Sequence, residues 1–419
     1  MPGHLILIFA YYFPPQNAIG AARPFRFYKY LKRLGYRCHV ITAADVSGRP
    51  DLDAEAVPDP FVVRPRQGIG WQLERAVRKL LVPGATGTHW ALHAFRAARR
   101  VILEQQPERV TIFSTFPPLG SHLAAFLLAR KERIAWIADY RDPLSDNPIY
   151  DDWGVFWRTV SRTLERAFVN SPALVIANTD AARDKLVAAY PRKADHIELI
   201  WNGFDPEERL RPAPKVDTSR YVLSHVGDLY GGRDVRPILY SIKRLIENGC
   251  LHPDFIGVRL IGPAEASSIP DQVFMGAAAR EGWLDFQPVR LPLSEAQQIV
   301  CCSDGLLLVQ PQSILQVPGK LFEYLQIGRP ILAYVPPNSP VERILQKSGV
   351  LYECIYPDST AEQMDAKLSR FFKMRSVHAE PNAWFEKEFS AEHQSRRLAD
   401  LIEKIHYDMS RNESRRSAA

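Results

Sequence analysis

Two stretches in the second half of the chain place a cation at the start of a helix. In "VPGKLFEYLQIGRPILA" (317–333), Pro318 suits a first helical turn, where its missing N–H costs nothing, while Gly328 and Pro330 stop the helix. The spacing predicts a helix over 318–327. Its N-terminus would aim backbone N–H groups and the positive end of the helix dipole at whatever lies above it, which makes an anion site. Lys320 adds a point charge for a phosphate, and Glu323 follows three residues later on roughly the same face. The plain alternative is an exposed i,i+3 ion pair worth about 0.3 kcal/mol. The other stretch, "HVGDLYGGRDV" (225–235), leaves an apolar strand and opens a helix. Gly227, Gly231 and Gly232 allow a ligand to approach the backbone closely. Arg233 stands at a helix start, where the dipole disfavours a cation, so it either meets an anionic ligand or points into solvent.

The first half offers a different set. "ADYRDPLSD" (138–146) brings Asp139, Arg141 and Asp142 to the carboxyl end of an apolar strand, where they either position a substrate or brace the loop as an Asp–Arg network. His122, past "FPPLGS", reads as a structural histidine in a first helical turn. "YYFPPQNAIGAARP" (11–24) follows the first strand but holds one glycine, Gly20, so it is no G-x-G-x-x-G dinucleotide cradle, which disfavours a nicotinamide-dependent oxidoreductase. Arg23 either reaches a ligand crevice or caps nearby structure. The five cysteines have no metal-site spacing, so neither zinc nor a disulfide framework is expected, in keeping with a reducing cytoplasm.

These residues need elements to hold them. Strands are expected at 5–10, 38–42, 61–65, 109–115, 133–140, 173–178 and 198–201, with helices at 22–34, 71–82, 88–105, 120–131, 155–170 and 180–190 between them. After "WNGFDPEERLRPAPKVD" (201–217), which has the composition of a linker, the alternation restarts. Strands are expected there at 221–226, 257–261, 284–287, 304–309, 330–335 and 350–354, and helices at 234–248, 270–281, 293–301, 318–327, 340–347 and 360–373. Continuous apolar strands between helices make parallel sheets covered on both faces. The reading is an α/β chain of two doubly wound domains, 1–207 and 208–388. A helix over 389–410 would pack back towards the first domain, ahead of a disordered tail at 411–419.

The motifs, taken in order, resemble the retaining glycosyltransferases of family 4, of the bacterial polysaccharide-assembly type. They are the opening loop with Gly20 and Arg23, "FSTFPPLGSHLAAFLLARK" (113–131), "IADYRDPLSDNP" (137–148), "WNGFD" (201–205), "SHVGDLYGGRDVRPIL" (224–239) and "VPGKLFEYLQIGRPILAYVPPNSP" (317–340). The resemblance covers nearly the whole chain. It implies the GT-B fold, two Rossmann-like domains facing across a cleft, acceptor on the N-terminal side and donor on the C-terminal side. It implies transfer of a hexosyl or N-acetylhexosaminyl group from a nucleotide diphosphate sugar to a glycan or lipid-linked acceptor in cell-surface polysaccharide biosynthesis. No cofactor and no metal are implied. The acceptor hydroxyl would attack from the face that the diphosphate leaves, with a phosphate oxygen as base.

The resemblance assigns Arg233, Lys320 and Glu323 to the catalytic centre. Arg233 would face the departing diphosphate, and Glu323 the ribose hydroxyls, since a carboxylate can accept two hydrogen bonds from a vicinal diol. It places Gly20, Gly227, Gly231, Gly232, Gly319 and Leu321 at donor-binding positions, and Arg23, Asp139, Arg141 and Asp142 on the acceptor side. Two positions depart from the pattern. A second glutamate, eight residues before Glu323, is replaced by Leu315, with Gln316 or the backbone of 317–319 as substitute. The arginine that follows the first glycine is replaced by Asp228, which would orient Arg233, with Arg236 as a weaker source of the missing charge. These departures keep a non-catalytic glycan-assembly subunit in view. A nucleotide-sugar 2-epimerase on the same fold is the other alternative.

Residues 64–100 carry eight Lys or Arg against one acid, Glu74, with Trp71, Leu80, Leu81, Trp90 and Phe95 interleaved. Such helices either lie on an anionic membrane or cover the sheet with their arginines in solvent. The net charge of +6 fits an anionic ligand or membrane surface, and no nucleic-acid module accompanies it. A cytoplasmic protein, peripheral at the inner face of the membrane, is the expected setting.

Overall fold

The computed structural model describes residues 3–16, 18–60, 86–145, 154–214, 219–374 and 377–417. It divides into two units, Met1–Asn202 with Ala391–Ala419, and Gly203–Ser390.

The first unit is built on a parallel sheet in the order β3-β2-β1-β4-β5-β6-β7. Its strands are β1 (His4–Phe9), β2 (Arg37–Thr42), β3 (Ala54–Ala56), β4 (Arg109–Phe116), β5 (Ala135–Tyr140), β6 (Leu174–Ala177) and β7 (Ile197–Leu199). Alternation along β1 explains the layering, because successive side chains of a strand point to opposite faces. Leu5, Leu7 and Phe9 join Trp90, Ile112 and Trp136 on one face. Ile6 and Ile8 join Phe27, Leu31, Val40 and Phe113 on the other. That second core also takes Leu398 and Ile402, both fully buried. They come from the C-terminal helix Ala391–Ser417, which packs on the helix Ala22–Arg33. Each such side chain contributes about 2 kcal/mol of apolar burial. The helix continues through 411–417, which the sequence reading gave to a disordered tail; "RNESRRS" contains no proline or glycine to stop it.

The second unit repeats the scheme with the order β10-β9-β8-β11-β12-β13. The strands are β8 (Tyr221–Val226), β9 (Ile256–Ile261), β10 (Leu284–Gln287), β11 (Gly305–Val309), β12 (Ile331–Tyr334) and β13 (Tyr352–Ile355). The helix Arg236–Glu247 shows why helices cover this sheet. Ile238, Leu239, Ile242 and Leu245 fall at i, i+1, i+4 and i+7 and are all buried.

The expected linker is not loose at its start. Trp201 is buried in the first unit, and Phe204 in the second stacks on Phe385 at 5.0 Å while its N–H donates to the Phe389 carbonyl. The expected strand at 61–65 and helix at 71–82 lie outside the described residues. In each unit the strand order reverses beside the first strand, at β1/β4 and at β8/β11. The carboxyl ends of strands at such a reversal are where open α/β sheets bind ligands.

Candidate functional site

In the second unit the site is assembled from loops that leave β8 and β11. Gly227 ends β8 with φ +137°, and its N–H donates to the Ile261 carbonyl at 2.6 Å. A β-carbon there would lie 1.9 Å from Lys320 Nζ, so the lysine occupies the space that a side chain would need. Gly262, at φ +136°, packs its Cα against the Gly227 carbonyl, where a β-carbon would come within 2.5 Å. These two glycines let the loops nest backbone on backbone beneath the ammonium group.

Arg233 donates Nε to Gln310 Oε1 at 3.1 Å and lies over the Tyr230 ring at 4.7 Å. Among the described residues neither Arg233 nor Lys320 makes an ion pair. Burial, then the neighbouring Arg233, pushes the Lys320 ammonium down to about 8, against the opposing pull of Glu323 and Asp228. Behind them His225 is fully buried and donates Nδ1 to the Leu307 carbonyl at 3.0 Å. Burial and the same two cations hold it neutral, at about 3.

The helix Lys320–Ile327 has Gly319 as its N-cap residue and no side-chain cap. It begins two residues later than expected, so Pro318 precedes the helix, and Gly328 ends it at φ 68°. Glu323 is half-buried and accepts from Gln297 Nε2 at 3.2 Å. Gly319 and Gly231 face open space, and the Gly231 N–H donates to Glu265. Gly232 is covered by the Gln312 side chain, 2.1 Å from where a β-carbon would stand.

Three assignments change here. Leu321 is fully buried and its N–H donates to the Pro318 carbonyl at 3.0 Å, so it offers a donor neither side chain nor amide. Asp228 does not orient Arg233; it pairs with Arg290, beyond β10, at 2.5 Å. Arg236 is taken by Asp234, through Nε at 2.9 Å and Nη2 at 2.7 Å. Sequence reasoning missed Gln310 and Gln312. The signal was available, since "LLLVQPQ" (306–312) breaks from apolar to amide side chains where β11 ends.

In the first unit, Arg23 and Asp139 are buried, at 4% and 0% exposure, and bind each other. Arg23 Nε donates to both carboxylate oxygens at 3.1 and 3.0 Å, and Nη2 to Oδ1 at 2.7 Å. The remaining donors reach the carbonyls of Ile200 at 2.8 Å and Trp201 at 2.5 Å. Thr115 also donates to Asp139, at 2.9 Å. Arg23 and Asp139 therefore brace β5 against the stretch that follows β7, at Ile200 and Trp201, and their charges are spent on each other. Gly20 is likewise not open: a β-carbon would lie 2.8 Å from Arg141 Nη1 and 2.9 Å from Tyr12 Cδ2. Arg141 and Asp142 are half-buried at the carboxyl edge.

His122 is fully buried, edge-on to Trp136, Tyr140 and Phe168. Trp136 Nε1 donates to Ser114 Oγ at 2.8 Å, and Ser114 Oγ lies 2.8 Å from His122 Nδ1. Burial lowers this histidine to about 3 and keeps it neutral, a core residue.

Of the basic stretch, residues 61–85 lie outside the described residues. In the helix Thr88–Gln105, Trp90 is fully buried and donates to the Val57 carbonyl at 2.9 Å, so it is core. Arg99 pairs with Glu132 at 2.6 Å and Arg100 with Glu55 at 2.5 Å. Among the described residues no helix is long and apolar enough to cross a membrane, and no cluster of three His, Cys, Asp or Glu could hold a metal ion.

Residues 25–208 match the family model "Glycosyltransferase Family 4". No curated protein sequence matches the chain. Nearly the whole chain is similar in fold to several solved structures. HepE of Anabaena, in complex with UDP and glucose, is 14% identical with a TM-score of 0.60 over 96% of this chain and 99% of that one. WaaB, a lipopolysaccharide outer core galactosyltransferase solved in its apo form, is 12% identical with a TM-score of 0.57 over 96% and 99%. The UDP-GlcNAc 2-epimerase of Methanocaldococcus jannaschii is 12% identical with a TM-score of 0.51 over 96% and 99%. The fold is the GT-B fold, two doubly wound parallel-sheet domains.

Proposed function

We propose, from the match of residues 25–208 to the family model of glycosyltransferase family 4, that the chain transfers a sugar from a nucleotide diphosphate sugar to a glycan or lipid-linked acceptor, with retention of configuration. One observation carries the reading. Two cations, Arg233 and Lys320, converge at the β8/β11 reversal with no carboxylate paired to either, one of them pressed onto Gly227. Charge held so, beside an uncapped helix N-terminus, fits a diphosphate.

In this reading Arg233 and Lys320 hold the diphosphate and stabilise the charge that grows on it as the glycosidic bond breaks. Gln310 fixes the arginine, and the Gly319 backbone borders the phosphates, with Gln312 lying over Gly232 beside them. Glu323, oriented by Gln297, takes the ribose hydroxyls. The acceptor hydroxyl attacks on the face that the diphosphate leaves, and a phosphate oxygen receives its proton. No metal or other cofactor takes part. HepE was solved with UDP and with UDP-glucose, so a uridine diphosphate sugar is the donor to try first. The product serves cell-surface polysaccharide assembly at the inner face of the membrane, the protein being peripheral there.

Calorimetry against a panel of nucleotide sugars tests the reading, with Glu323→Ala and Arg233→Ala alongside. Binding that drops at least tenfold in both variants supports it. A panel in which no nucleotide sugar binds refutes it, and unchanged binding in both variants refutes the site. A 2-epimerase, the activity of one structural neighbour, would form product without any acceptor. The membrane setting predicts co-sedimentation with anionic liposomes that falls as salt is added.

A further inference from the structure

Two arginines flank Asp139 in the first unit, and only one is spent. Asp139 accepts from Arg23 Nε, Arg23 Nη2 and Thr115 Oγ1, which leaves it nothing for Arg141. Arg141 donates Nη2 to the Pro117 carbonyl, and its Nε is buried with no acceptor. It makes no ion pair among the described residues. Burial lowers the guanidinium from its ordinary value, and Arg23 adds to this, although Asp142 and Asp139 pull the other way. A charge taken out of water without a paired partner is costly, and a protein keeps one where a ligand completes it.

The position is equally specific. Arg141 follows β5, its Nη1 sits 2.8 Å from where a Gly20 β-carbon would stand, and its Nη2 touches the loop after β4. It thus links the loops that leave β1 and β4, the strands between which the order of this sheet reverses. Tyr12 borders the same spot, 2.9 Å from that missing β-carbon. A side chain at position 20 would collide with the half-buried guanidinium, so the glycine leaves the space that Arg141 occupies.

We propose that the Arg141 guanidinium, beside Gly20 at this edge of the sheet, is an anion subsite of the first unit, and that it holds a phosphoryl group carried by the acceptor. The planar fork of a guanidinium matches phosphate oxygens in pairs, as a lysine would not. The proposal rests on the glycosyltransferase reading for the word acceptor; the anion site itself does not. Phosphoryl groups come on soluble glycosyl phosphates and on lipid diphosphates, and the test separates them.

The experiment uses the full chain with Arg233→Ala and Lys320→Met, so that residual phosphate binding reports on the first unit. Hexose 1-phosphate and farnesyl diphosphate in detergent are the probes, and methyl hexoside is the neutral control. Arg141→Met added to this background is expected to weaken the better phosphoryl probe at least tenfold, and Arg141→Lys to fall between. Tighter farnesyl diphosphate indicates a lipid carrier, and tighter hexose 1-phosphate a soluble acceptor. The backbone bonds of Arg141 to Phe116 and Asn178 do not involve its side chain, so the variants keep their anchor, and circular dichroism checks the fold. Equal binding of a phosphoryl probe with and without Arg141, or methyl hexoside binding as tightly as hexose 1-phosphate, overturns the proposal. Failure of every nucleotide sugar of the panel to bind the unmodified chain overturns the glycosyltransferase reading instead and leaves this result standing.

Discussion

Lys320 provides the sharpest test of the diphosphate site, because its charge falls between pH 7 and 9 and a variant without the ammonium controls for any titration of UDP itself. Its ammonium group is lowered from 10.5 to about 8 by burial and by Arg233. A diphosphate that binds the ammonium would restore the charge, so the apparent Kd should scale as 1 + 10^(pH − 8). That factor is about 1.1 at pH 7 and about 11 at pH 9, a tenfold loss of affinity or about 1.4 kcal/mol. The unliganded protein should show the opposite trend. The native pKa lies below the unfolded one, so the folded state carries a penalty of about 3 kcal/mol below pH 8, relieved as pH rises from 8 towards 10.5. Lys320→Met should remove both dependences, weaken UDP by roughly 10- to 100-fold at pH 7 and raise the urea midpoint there. Titration calorimetry with UDP at pH 7, 8 and 9, in wild type and variant, reads the first effect. Equal affinity for wild type at pH 7 and 9 would refute the reasoning. So would a tenfold loss that persists in Lys320→Met.

Gly227→Ala should cost at least tenfold in UDP affinity, measured by calorimetry, because a β-carbon 1.9 Å from Lys320 Nζ displaces the ammonium and φ +137° strains any L side chain. Arg23→Met or Asp139→Leu should each lower stability in urea by about 3–5 kcal/mol, since each strands a buried charge, and the double variant should recover much of that loss. His4 is lowered to about 4 by burial, then by His406, with Glu403 raising it and Arg109 lowering it. The imidazole hydrogen-bonds Thr111 Oγ1 at 2.8 Å, which His406 Nε2 meets at 2.7 Å. The unfolded chain therefore takes up this proton near pH 6.5 and the native one only near 4, so stability is full above 6.5 and lost as pH falls towards 4. Urea titrations should show about 2 kcal/mol less stability at pH 5 than at pH 7, with the loss reduced in His4→Asn.

Strands read well from the sequence wherever an apolar run stops abruptly. β8 and β10 were expected at 221–226 and 284–287 and occur there, as does the helix Thr88–Gln105. The three-residue strand Ala54–Ala56 and the helix Ala383–Phe389 were not foreseen, because neither is long enough to show a period. The cations of the second unit were legible for a physical reason: each stands at a helix start in the first connection after a parallel strand, Arg233 after β8 and Lys320 after β11, and such strand ends share one edge of the sheet. What each cation is paired with was not legible. Asp228 meets Arg290 across 62 residues, and nothing local to either announces it.

The same limit separates Arg23 from Arg141. In sequence both are single arginines near turn residues, Arg23 at the end of the loop that follows the first strand and Arg141 directly after β5. Arg23 is closed by carbonyls 177 and 178 residues away and becomes a brace. Arg141 finds one carbonyl, at Pro117, and no carboxylate pairs with it. In the second unit Arg236 and Arg290 are closed by Asp234 and Asp228, while Arg233 and Lys320 are held by neutral groups only. A positive charge at a sheet edge is therefore weak evidence of a ligand, because most are neutralised by long-range partners. A desolvated positive charge that the fold has left uncompensated is strong evidence, because nothing but a ligand repays its desolvation. By that criterion the described residues of each unit present an incomplete anion site, beside the reversal of its own sheet, and both are open to test with phosphate alone.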